Sequence, residues 1–166
     1  TENWYSNKSG ITFPLKGIFC MQIVENLNLY FENILSYKAD ADKNTTMDMS
    51  RHIRKNLSNI GLEMRDKIIF TYFDTGIEFL VPLINENTKS CSGYTIKPKF
   101  RMVNAVKIRY EGDFSCINEA LEILKKYIAE KKYRAISNPY YKIVRDDESL
   151  NYGIWDIYIS LDSNIL

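Results

Sequence analysis

Histidine, cysteine and glycine are scarce in this chain of 166 residues, with one, three and seven copies. A single histidine, His52, excludes a His-rich metal site and a Ser-His-Asp triad drawn from several candidates; most simply it is a surface residue. Cys20, Cys91 and Cys116 form an odd set with no close spacing, so no disulfide framework is expected and a reducing compartment fits. No stretch approaches the roughly 18 apolar residues of a membrane span. The run from Ile11 to Phe19 is interrupted by Pro14, Lys16 and Gly17, so no leader is read there and the expected location is cytoplasmic. A charge excess is missing too: 22 Lys and Arg face 21 Asp and Glu. Phosphate binding needs a clear cationic face, so a nucleic-acid partner is not expected. What the chain does hold is 12 Tyr, 8 Phe and 2 Trp within a hydrophobic content of 45%, ordinary for one folded domain.

Residues 1–27 show no clear period and are expected to be an N-terminal extension, with residues 28–166 forming a single domain. Leu27 to Tyr37 reads as a strand, with a bulge near Asn33. Asn44 or Thr45 can cap a helix whose stripe is Met49, Ile53, Leu57 and Ile60, with Gly61 as its stop. Lys67 to Phe73 and Ile77 to Leu83 form a hairpin about the turn Asp74-Thr75-Gly76. A polar connector, residues 85–98, follows. The order then recurs: a strand from Met102 to Tyr110, a helix capped by Asp113 or Ser115 with Ile117, Ala120, Leu121, Leu124, Tyr127 and Ile128 on one face, then strands Tyr140–Val144 and Ile154–Leu161.

The two halves match at residue level as well as in order. Tyr37-Lys38-Ala39-Asp40 corresponds to Tyr110-Glu111-Gly112-Asp113, and Glu78 to Leu83 corresponds to Asp156 to Leu161. The expected fold is therefore α+β: duplicated β-α-β-β modules, about 28–84 and 99–162, forming one antiparallel sheet with two main helices on one face. A groove between the helices is where such a protein would hold something.

Val106 to Ser115, the helix after it, and Asn138-Pro139-Tyr140-Tyr141 together resemble the GyrI-like effector-binding domain, which is also the C-terminal domain of multidrug-binding transcription regulators. Glu78-Phe79-Leu80-Val81-Pro82-Leu83 matches that family's strand pair ending Glu-x-x-x-Pro; the second module departs from it, with Asp156 for the usual Glu and Ser160 for Pro. The resemblance covers roughly residues 28–162. It implies a tandem β-α-β-β fold, a bacterial source, and binding of small molecules, often lipophilic cations, in a groove lined by aromatic rings with an acidic residue. It implies no cofactor and no metal.

The ligand-binding candidates are Glu78, Asp156, Tyr72, Tyr110, Tyr141, Trp155 and Tyr158. A carboxylate among rings is costly to desolvate alone, and a bound cation offsets that cost while ring faces add about 0.5–2 kcal/mol each. Strand alternation complicates the set: Ile77, Phe79 and Val81 share one face and Glu78 the other, while Trp155 and Ile157 oppose Asp156 and Tyr158. If helices cover the apolar face, both carboxylates lie on an open face and are simply solvated. Tyr37 and Tyr110 suit a structural role at the strand-to-helix corner, and Tyr72 and Tyr141 would otherwise be exposed strand tyrosines. The expected function is a stand-alone, non-enzymatic sensor or sequestering domain for an apolar or cationic small molecule. The alternative is a protein-interaction module, such as a gyrase-inhibitor-like or secretion-accessory protein. An enzyme using Glu78 or Asp156 with a tyrosine is the weakest option, since paired carboxylates occur in almost any chain, and no catalytic residue is assigned.

Overall fold

The computed structural model describes residues 21–84, 93–150 and 152–162. Its elements are β1 (Ile23–Ala39), α1 (Thr46–Asn59), β2 (Ile69–Phe73), β3 (Gly76–Pro82), β4 (Tyr94–Asp113), α2 (Ile117–Glu130), β5 (Tyr140–Asp147) and β6 (Tyr152–Ser160). All strand pairs are antiparallel, in the order β1-β3-β2-β5-β6-β4, and β1 pairs with β4 to close a six-stranded barrel. The single antiparallel sheet expected from the sequence is present, and it closes on itself.

Closure comes from the two longest strands, of 17 and 20 residues. One end of β1, Ile34 to Ala39, pairs with β3, while Ile23 to Tyr37 runs along β4 from Ile108 to Tyr94. Strands of that length must bend to serve two neighbours. They do so where Asn26, Asn33 and Asn104 take positive φ, a conformation asparagine tolerates better than most residues, and where the β1–β4 register shifts between Val24 and Leu29. Two segments expected outside the sheet therefore belong to it in part. Ile23, Val24 and Leu27 pair with β4, although residues 1–27 read as an extension; residues 1–20 lie outside the described residues. Tyr94 to Lys97, read as connector, pairs with Ile34 to Tyr37. Pro98, which lacks an N–H, lies between Lys97, paired with Ile34, and Lys99, paired with Glu32.

The helices follow their sequence signals with small changes. No side chain caps α1; Asp42 instead holds the turn that leads into it, its carboxylate accepting from the backbone N–H groups of Asn44 (3.0 Å) and Thr45 (3.1 Å). The buried stripe of α1 is Thr46, Met47, Ser50, Ile53 and Leu57, whereas Ile60 caps the C-terminus and is exposed. Gly61 (φ 73°) then lets Leu62 N–H reach back to the Leu57 carbonyl at 3.0 Å. Asp113 caps the turn into α2 by accepting from Ser115 N–H at 2.8 Å. The apolar stripes of α1 and α2 fall in one hydrophobic cluster with Leu35, Phe70, Phe79, Val106, Tyr141 and Trp155 of the strands. A barrel of six strands is too narrow to enclose a helix, so this strand face is the outer one and its alternate residues point inward.

At the β2–β3 turn, a Cβ on Gly76 would stand 2.2 Å from the Ala39 carbonyl oxygen, a backbone atom that cannot swing away. Gly76→Ala is expected to cost about 1–3 kcal/mol, read as a lower urea midpoint with an unchanged slope. An unchanged midpoint would show that the β1 end can move aside freely.

Candidate functional site

Alternation along the strands decides which side chains meet. The inner face carries two small apolar clusters, one of Ile34, Ile69 and Leu80 and the other of Met102, Ala105 and Tyr158; Phe100 and Tyr140 pack against both. Phe31, Phe100 and Tyr140 are only partly buried, and the Phe100 and Tyr140 rings stand 5.1 Å apart. A depression of about 310 Å³ opens against Leu29 and Met102, which belong to or pack on the second cluster.

Both carboxylates lie on this inner face, and neither is solvated as the open sheet would have left it: Glu78 is 9% exposed and Asp156 3%. Closure of the sheet is the reason. Glu78 accepts from Ser36 Oγ at 2.6 Å and from the ammonium of Lys97. Asp156 receives a bidentate fork from Arg109, Nε to Oδ1 at 2.7 Å and Nη2 to Oδ2 at 2.8 Å, with Lys107 Nζ 3.3 Å from Oδ2. Burial alone would raise both carboxyls; the hydrogen bonds and charges of Lys97 and Ser36, and of Arg109 and Lys107, outweigh it and hold both below the ordinary carboxylate range.

The seven candidates therefore divide. Glu78, Asp156 and Tyr158 share the inner face, where the buried Tyr158 hydroxyl approaches Asp156 Oδ2 at 3.4 Å, while Glu78 stands apart on β3. Tyr72, Tyr110, Tyr141 and Trp155 lie on the other side, in or against the helix-bearing cluster. Tyr141 is buried rather than exposed, stacked on Phe70 at 5.0 Å, and burial pushes its phenol up. The Tyr72 hydroxyl bonds Thr46 Oγ1 at 2.7 Å, and burial pushes its pKa up to about 12. Tyr110 donates to the Asp113 carbonyl at 2.8 Å, the corner role read from its position, and its ring stacks on Trp155. Trp155 is 1% exposed, and among the described residues its indole N–H meets no hydrogen-bond acceptor.

Sequence reasoning passed over Lys97, Lys107, Arg109 and Tyr140. A signal for two of them existed: in Val106-Lys107-Ile108-Arg109-Tyr110 the charged residues alternate with apolar ones and so share a face. What the sequence could not give is the β4–β6 register that sets Arg109 opposite Asp156 and Lys107 opposite Tyr158. A second depression, about 790 Å³, lies between α1 and the start of the β5–β6 connection, and it holds none of the seven. All its lining side chains are polar or charged, and Arg51 there is already tied to Asp146 at 2.8 and 2.7 Å, so it offers little for a lipophilic ligand. Among the described residues no group of His, Cys, Asp and Glu could hold a metal, and no helix is long and apolar enough to cross a membrane.

No family model and no curated protein matches the sequence. Solved structures do share its fold. EcmrR in a DNA complex is 12% identical with a TM-score of 0.70, over 86% of this chain and 57% of that one; the isolated C-terminal domain of EcmrR is 13% identical with a TM-score of 0.66, over 86% and 96%. A hydrolase from Listeria innocua is 9% identical (TM-score 0.55, over 86% and 91%). SAV2435 bound to tetraphenylphosphonium is also 9% identical (TM-score 0.50, over 86% and 94%). The chain thus has the α+β fold of the EcmrR C-terminal domain and spans 57% of the longer EcmrR chain.

Proposed function

We propose that this protein is a non-enzymatic binder of lipophilic small molecules, a sensor or sequestering domain of the GyrI-like effector-binding kind built from two β-α-β-β modules. The observation that carries it is the inner face: half-buried rings of Phe31, Phe100 and Tyr140 beside two buried, ionised carboxylates. Covering exposed ring surface with an apolar ligand is worth about 25 cal/mol per Å². The fold shared with the EcmrR C-terminal domain supports the same reading, as does the tetraphenylphosphonium bound to SAV2435. Both carboxylates are held ionised and paired, which suits them poorly to act as general acids and supports a binding role over a catalytic one.

The test is a thermal-shift and calorimetric titration with tetraphenylphosphonium and a panel of neutral and anionic aromatic compounds. A ligand at a hundredfold its Kd is expected to add about 2.7 kcal/mol, a rise of roughly 5–10 °C. Tyr140→Ala is expected to remove the rise. A folded protein that no probe stabilises would refute the function.

A further inference from the structure

We infer that the inner face prefers a ligand with an anionic group, a carboxylate on an aromatic or aliphatic body, held by the Lys107 ammonium and the Tyr158 hydroxyl. The inference rests on the function proposed above and sharpens its chemistry.

Charge placement is the first argument. Across β4, β6 and β5 one row reads Arg109, Asp156, Lys142, and the next reads Lys107, Tyr158, Tyr140. Two cations, Arg109 and Lys107, share the single carboxylate of Asp156, and Arg109 already occupies both of its oxygens at 2.7 and 2.8 Å. Lys142 does not redress the balance, because it pairs with Asp66 at 3.0 Å; Glu111, further along β4, accepts from Tyr152 at 2.7 Å. At the other end, Glu78 is matched by Lys97. An incoming cation would therefore have to displace a cation of the fold, while an anion meets a local surplus of one positive charge.

Unused hydrogen-bonding capacity is the second. The Lys107 ammonium has three donors, yet its side chain is only 18% exposed and its contact with Asp156 Oδ2 is long, at 3.3 Å. Its charge lies 6.0 Å from the centre of the Tyr158 ring. Tyr158 is 5% exposed and, among the described residues, its one proton goes to the same oxygen over a long 3.4 Å, so a carboxylate lodged beside both would gain a charge-assisted bond from Lys107 and draw the phenol proton out of that weak contact. Met102, Phe100 and Tyr140 sit next to Tyr158 and supply the apolar wall.

Matched probes test it: 1-naphthylacetate, 1-naphthaleneethanol and (1-naphthylmethyl)trimethylammonium, titrated calorimetrically into the full chain at pH 7. The anion is expected to bind about tenfold or more tighter than the cation, with the alcohol between. Lys107→Met, which leaves the Arg109–Asp156 fork in place, is expected to collapse the difference to about threefold or less, and Lys107→Arg to preserve it. Equal or tighter binding of the cation, or a preference that survives Lys107→Met, would overturn the inference and leave the binding function standing. Silence from all three probes and from tetraphenylphosphonium would overturn both.

Discussion

Replacing Phe70 by alanine is expected to cost about 3–5 kcal/mol, a large part of the 5–15 kcal/mol typical of a domain. Phe70 is fully buried on β2 and sits in register with Phe79 of β3 and Tyr141 of β5. Its ring lies parallel to Tyr141 at 5.0 Å, 5.9 Å from Phe79 and 6.1 Å from Phe114. β2 and β5 also form one of the two seams where the halves of the chain meet, the other being β1–β4. With Tyr72 edge-on at 5.7 Å, the lost ring leaves a cavity walled by four others that cannot all close in. Thermal unfolding should therefore begin roughly 10 °C lower, while Phe73→Ala, at a partly exposed ring on the same strand, should cost under about 1 kcal/mol. Equal losses for the two would mean that the row of rings does not organise this core.

Arg109→Ala is the second large effect, about 2–4 kcal/mol at pH 7. It leaves the buried Asp156 carboxylate with Lys107 alone, at 3.3 Å. The lower part of the usual range for breaking a buried pair applies, because the Arg109 side chain is itself 47% exposed. The pH dependence has a definite sign. In the native protein the Asp156 and Glu78 carboxyls are held below their unfolded values, so their stabilisation is present above about pH 4 and is lost as pH falls through the lower folded values. Without Arg109 the burial of Asp156 is opposed by Lys107 alone, and its carboxyl rises. The stability gap between native protein and variant should consequently be widest at neutral pH and shrink towards pH 3, as urea unfolding at pH 7, 5 and 3 would measure. A gap independent of pH would show that Arg109 acts by packing its aliphatic stem, not by its charge.

Much of the backbone was legible because its signals are local. The stripe from Ile117 to Ile128 gave α2, the Asp74-Thr75-Gly76 turn gave the β2–β3 hairpin, and alternation separated Glu78 from Phe79 and Asp156 from Trp155. The same alternation, followed consistently, divides the candidate list: Tyr141 turns to the helices while its neighbours Tyr140 and Lys142 turn inward. Aromatic character drew Tyr72, Tyr110, Tyr141 and Trp155 into the candidate site, but ring content does not report which side of a strand a residue takes.

The sequence by itself determined the elements, their order and the two-sidedness of each strand, since these depend on neighbours within a few residues. Only the tertiary structure decided that the sheet closes. Closure depends on how far β1 and β4 run and where Asn26, Asn33 and Asn104 bend them, and it pairs residues such as Ile23 and Ile108 that are far apart in the chain. Closure buries Glu78 and Asp156 and brings Lys97 to Glu78, while the β4–β6 register sets Arg109 and Lys107 on Asp156; a carboxylate withdrawn from water is retained only beside such a compensating charge.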